Sequence, residues 1–113
     1  MTVEICFYAD ADASRPFDRW YDRLDPRLAA KVDTALTRLS TGNTSAVRTV
    51  GEGVHEIRID HGPGLRIYFG WDGPRVVVVL GGGIKDRQQD DIVVARRRWR
   101  AYRKSRPSKT SED

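Results

Sequence analysis

The residues of this sequence best suited to chemistry are cations at strand spacing. In the run from Val54 to Asp60, Ile57 and Ile59 alternate with Glu56, Arg58 and Asp60; in the run from Leu65 to Trp71, the apolar Leu65, Ile67, Phe69 and Trp71 alternate with Arg66 and Tyr68. Side chains two apart on a strand share a face, so pairing the runs with their apolar sets together puts Arg58 directly across from Arg66 or Tyr68. Arginines facing each other repel unless an acid or an external anion compensates them. Either Glu56 and Asp60 neutralise a solvated face, or that face takes an anion. A second candidate is Gly81-Gly82-Gly83-Ile84-Lys85-Asp86, read as the junction of an apolar strand and a helix start. Glycines there allow a close backbone approach, a helix start offers free N–H donors, and Lys85 adds a mobile charge. It is not a Walker phosphate loop, because Asp86 stands where Ser or Thr is required. A flexible turn explains the segment equally well.

The remaining polar features carry less. Arg96-Arg97-Arg98-Trp99-Arg100 with Arg103 and Lys104 is either a solvated helix face or a patch for nucleic acid or an acidic partner. His55 has the parity of Ile57 and reads as a strand-end residue; His61 sits in a turn from which it can reach the free face of the sheet. With one cysteine, Cys6, and two histidines, the chain has no intramolecular disulfide and no zinc-ligand spacing, so no metal or cofactor is expected.

The elements that must position these groups follow from periodicity. Val3, Ile5 and Phe7 alternate as a first strand within Thr2 to Tyr8. Ser14 and Pro16 open a helix with the stripe Phe17, Trp20, Tyr21, Leu24, and Asp25-Pro26 opens another with Leu28, Val32, Ala35, Leu36 and Leu39, ending at Thr41-Gly42-Asn43. Glycine-marked turns at 51–53, 61–64 and 72–74 then separate four strands, 46–50, 54–60, 65–71 and 75–80. After the glycines, Asp86 and Gln89 resemble a capping box for a last helix with Ile92, Ala95, Trp99 and Tyr102 inward. The expectation is a small single α+β domain over residues 1–104, in the order β-α-α-β-β-β-β-α. Its twisted antiparallel sheet carries helices on one face and leaves the other partly free. Residues 105–113 are polar and expected to be disordered. At 113 residues with 32% charged, the composition excludes a multidomain enzyme and a fibrous chain. The longest apolar-to-glycine run, Val76 to Ile84, is far short of the ~20 residues that span a bilayer, so no membrane partner is expected and the location is cytoplasmic.

Two segments then resemble a known family. Val54-His55-Glu56-Ile57-Arg58-Ile59-Asp60-His61-Gly62-Pro63-Gly64-Leu65-Arg66-Ile67-Tyr68-Phe69 is similar to the core of the RelE/ParE superfamily toxins of the HigB-like, addiction-module killer group. Leu80 to Asp86 followed by Gln88, Asp90-Asp91-Ile92 and Ala95 resembles that group's downstream motif, and the likeness spans roughly residues 3 to 103. It implies a type II toxin neutralised by a cognate antitoxin protein that covers the free face or a groove beside it. Relatives of the RelE kind cut mRNA on the ribosome without a metal, the RNA 2′-hydroxyl attacking the adjacent phosphate. By that resemblance Arg66 stabilises the transition state, Arg58 is a second cation, Lys85 binds phosphate or moves a proton, and Tyr68 stacks on a base or moves a proton. Leu65 replaces the usual aromatic, and no residue is identified as the general acid. The alternatives are a non-catalytic gyrase inhibitor of the ParE kind, or a corepressor binding operator DNA with its antitoxin through Arg97 and Arg100.

Overall fold

The computed structural model describes residues 2–106. Strand β1 (Glu4–Phe7) leads into helices α1 (Pro16–Tyr21) and α2 (Pro26–Ser40), then strands β2 (Val47–Gly51), β3 (Val54–Ile59), β4 (Leu65–Trp71) and β5 (Val76–Ile84). A 3-10 turn, Lys85–Arg87, joins β5 to helix α3 (Gln88–Ser105). The α+β class and the element order are those expected. The sheet order is β1-β5-β4-β3-β2. Only β2 to β5 are antiparallel; β1 runs parallel to β5, which corrects the expected antiparallel sheet. The chain crosses on α1 and α2 to the far edge and meanders back, so β5 returns beside β1 in the same direction.

A second correction concerns the helices, which cover both faces. On one, α1 and α2 lay Phe17, Val32 and Leu39 against Ile57, Leu65, Ile67, Phe69, Val77 and Val79. On the other, Ile92, Ala95 and Trp99 of α3 pack on Val54, Tyr68, Val78 and Leu80. The valine run of β5 is apolar in both parities, so a solvated second face would expose Val78 and Leu80 to water. The face expected to be free is covered by the chain's own last helix.

Local signals account for some boundaries and not others. The Asp25 carboxylate caps α2 by accepting from the Arg27 and Leu28 N–H groups, with Pro26 in the first turn. Ser14 does not cap α1; its hydroxyl accepts from Arg19 instead. Asp86 and Gln89 form no capping box, because the 3-10 turn intervenes and Arg87 precedes α3 without a side-chain cap. Nor do Gly81-Gly82-Gly83 end β5. They pair with Tyr68, Ile67 and Arg66 of β4, past a bulge that puts Leu80 and Gly81 on the α3 face together. A Cβ on Gly82 would lie 2.4 Å from the Trp20 ring, and one on Gly83 2.0 Å from Asp91 Oδ2. These glycines let α1 and α3 sit against the strand from both sides. At the C-terminus, α3 continues through Ser105 and Arg106 pairs with Asp72, so the described fold passes the expected end at 104. The rest of the expected tail, 107–113, lies outside the described residues.

Candidate functional site

The observed register places Arg58 across from Arg66 and Glu56 across from Tyr68. Glu56, only 1% exposed, accepts from Arg58 Nε at 2.8 Å and from Gln88 Nε2 at 2.8 Å. Arg66 is 3% exposed; its Nη1 donates to the Leu65 carbonyl at 3.0 Å while its Nε has no partner among the described residues. The turn that follows β5 brings in Lys85, whose N–H donates to the Gly64 carbonyl at 2.7 Å. A Cβ on Gly64 would stand 3.2 Å from Lys85 Cβ and 3.6 Å from Arg66 Nη1. Gly64, at φ +75°, is therefore the thin wall between a buried guanidinium and an exposed lysine. Arg58 and Arg66 face each other at one end of β3 and β4, Lys85 follows the adjacent end of β5, and Glu56 is bonded to Arg58. The local charge is positive, as anion binding requires.

Tyr68 departs from expectation. It is 1% exposed beneath α3 and its hydroxyl has no partner among the described residues. Burial foremost, then Glu56 and Asp91, holds its phenol far above the ordinary tyrosine range. A ring so covered has no exposed face for stacking on a base, and its phenol is held in the protonated form. The glycines are not a free strand-to-helix turn: they lie in β5 with Trp20, Arg98 and Asp91 packed against them.

The basic run of α3 is not a uniformly solvated face. Arg96 donates to the Val50 carbonyl and pairs with Glu52, Arg100 pairs with Glu52 at 3.2 Å, and Arg98 donates to the Leu80 carbonyl at 2.9 Å. Arg97, Arg103 and Lys104 are exposed. His61 is exposed in a groove between α2 and β3 that Arg58, Asp60 and Lys31 share. His55 stacks on Phe69 with Nδ1 3.2 Å from the Thr49 hydroxyl, and burial lowers its pKa. Cys6 is half-buried in β1. Among the described residues, no three His, Cys, Asp or Glu side chains are grouped to hold a metal ion, and no helix is long and apolar enough to cross a membrane.

Sequence reasoning missed three partners of the site. Glu56 was read as a neutralising surface acid and is a buried one that ties Arg58 and Gln88 together; its place two residues from Arg58 was the available signal. Gln88 and Asp91 belong to a helix whose docking on this face no local pattern announces.

The family described as "Phage derived protein Gp49-like (DUF891)" matches residues 19–100. An uncharacterized protein of Haemophilus influenzae (strain ATCC 51907 / DSM 11121 / KW20 / Rd) is 37% identical over 81 residues, which cover 71% of this chain and 82% of the relative. Among solved structures, that of an arginine-to-alanine double mutant of the E. coli toxin RelE in the free state superimposes with a TM-score of 0.63. It shares 17% identity and covers 86% of this chain and 98% of that one, so the fold is RelE-like.

Proposed function

Because the chain belongs to the phage-derived Gp49-like (DUF891) family, we propose that it is the toxin of a type II toxin–antitoxin module, of the HigB-like kind. In this reading it acts in the cytoplasm as a metal-independent, ribosome-associated mRNA endoribonuclease. One observation supports the reading above the others: buried Arg66 and exposed Lys85 flank Gly64, and Arg58 lies directly across the strand pair from Arg66, on a RelE-like fold. Cleavage by an RNA 2′-hydroxyl develops negative charge on the scissile phosphate, and preoriented cations in a partly dry site stabilise it more strongly than water does. Lys85, the exposed member, meets the phosphate; Arg66 and Arg58 supply the field behind it. Arg66 is held by the Leu65 carbonyl and Arg58 by Glu56, so neither reorganises during the reaction. The partners are mRNA on the ribosome and a cognate antitoxin, with which the toxin binds operator DNA. Because α3 already covers the sheet, the antitoxin reaches the rim at Gly64 and Lys85 rather than an open face.

Induced expression of wild type and Lys85→Ala at equal soluble level, with total mRNA mapped for new 5′ ends, tests this. Growth arrest with codon-phased ends in wild type and neither in the variant supports it. Arrest with intact mRNA overturns it and makes gyrase the next target.

A further inference from the structure

Beyond the cations around Gly64, the chain carries a second built concavity. A cleft of about 300 Å³ opens between α1 and α3 over the end of β5; its floor includes Gly81, Gly82 and Tyr68. Arg19 and Arg23 line it from α1 and the turn after it, and Arg98 and Asp91 from α3. Three guanidinium groups around one small space repel each other. Arg19 is compensated by Asp10 at 3.3 Å, Arg98 has the Leu80 carbonyl, and Arg23 is exposed and makes no ion pair among the described residues. Burial lowers the pKa of Arg98, and Arg19 and Arg97 add to this against the opposing pull of Asp10, the carboxylate that also pairs with Arg19. Tyr68, 1% exposed, closes the floor with a hydroxyl that has no partner among the described residues. A buried orphan of this kind is costly unless something answers it.

We propose that this cleft is a nucleotide subsite for single-stranded RNA, in which Arg19, Arg23 and Arg98 hold a phosphate and Asp91 accepts a hydrogen bond from a base. The choice of RNA rests on the ribonuclease reading. Asp91 decides between anions: it opposes a ligand bearing only carboxylates, whereas a nucleotide offers both a phosphate and base N–H donors. The volume suits one nucleotide unit rather than a docked helix.

Binding of a labelled single-stranded RNA decamer of mixed sequence is measured by fluorescence anisotropy for wild type, Arg23→Ala and Arg27→Ala over a range of salt. Arg27 is an exposed residue of α2 away from the cleft and serves as the control. Arg23→Ala weakens binding about tenfold, the scale of one hydrogen bond to a charged group. It also flattens the slope of log K against log salt by about 0.7, one phosphate contact on a single strand. Equal losses in the two variants, no loss in Arg23→Ala, or no binding by wild type overturns the subsite. So does displacement of the RNA by a glutamate decamer at equal charge, which assigns the cleft to an acidic protein segment. If the protein cuts no mRNA but Arg23→Ala still loses the decamer selectively, the ribonuclease reading fails and the subsite stands. If it cuts mRNA and Arg23→Ala binds as wild type, the subsite alone fails.

Discussion

Under α1 and α2 the sheet buries Ile57, Ile67, Phe69, Val77 and Val79 in a wholly apolar cluster, whereas under α3 the same strands bury Glu56, Arg66 and Tyr68 beside Val54, Val78 and Leu80. The first face gains its free energy from area removed from water and from close packing. The second also carries the cost of desolvated polar groups, two of them with orphaned atoms, Arg66 Nε and Tyr68 Oη. Apolar side chains would stabilise those positions more. Their polar occupants are all on β3 and β4, next to exposed Lys85, which is where the proposed chemistry lies. One face holds the domain together, and the other accepts a stability penalty to position charge.

Substitutions that hit one face or the other sharpen this contrast. The largest expected effect is Phe69→Ala: Phe69 is fully buried among Ile57, Ile67 and Val79, so urea denaturation shows a loss of about 3–5 kcal/mol. Glu56→Ala strips Arg58 and Gln88 of their shared acceptor and costs about 2 kcal/mol by the same assay, less than a deep ion pair because Arg58 is partly exposed. Tyr68→Phe goes the other way. It deletes an unpartnered buried hydroxyl and raises stability by about 1 kcal/mol; a loss instead would mean that the hydroxyl is satisfied and the α3 face is not penalised there.

A smaller effect comes with pH. Burial, and then the hydrogen bond its hydroxyl donates to Asp72, pushes the Tyr102 phenol up from 10.0 to about 12. The folded state therefore prefers the protonated phenol more than the unfolded state does. That stability is fully present below pH 10 and is lost as pH rises from 10 to about 12. Alkaline unfolding of Tyr102→Phe is correspondingly flatter in this window. Smallest of all is Lys85→Ala, an exposed change expected within about 0.5 kcal/mol of wild type.

Much of the frame was legible in the residues. Alternation in 54–60 and 65–71 left Arg58 facing Arg66 or Tyr68, and the structure selects Arg66. Asp25-Pro26 located the start of α2 from capping chemistry alone. What escaped was long-range. Gly81 to Gly83 read as a strand-to-helix junction, either an anion site or a flexible turn, because nothing nearby reveals that Trp20, Arg98 and Asp91 will press on them from two helices. The arginines of α3 read as a solvated face or a partner patch, and neither reading foresaw a guanidinium donating to a strand carbonyl, as Arg98 does to Leu80, because that leaves no periodic trace. The burial of Tyr68 followed from the same unseen docking.

The central claim is that the cation cluster beside Gly64 does chemistry rather than hold the fold. It is tested most directly by one preparation of Lys85→Ala measured twice, for its urea midpoint and for mRNA cleavage on purified ribosomes. The account predicts an unchanged midpoint with cleavage abolished. Cleavage at the wild-type rate would contradict it.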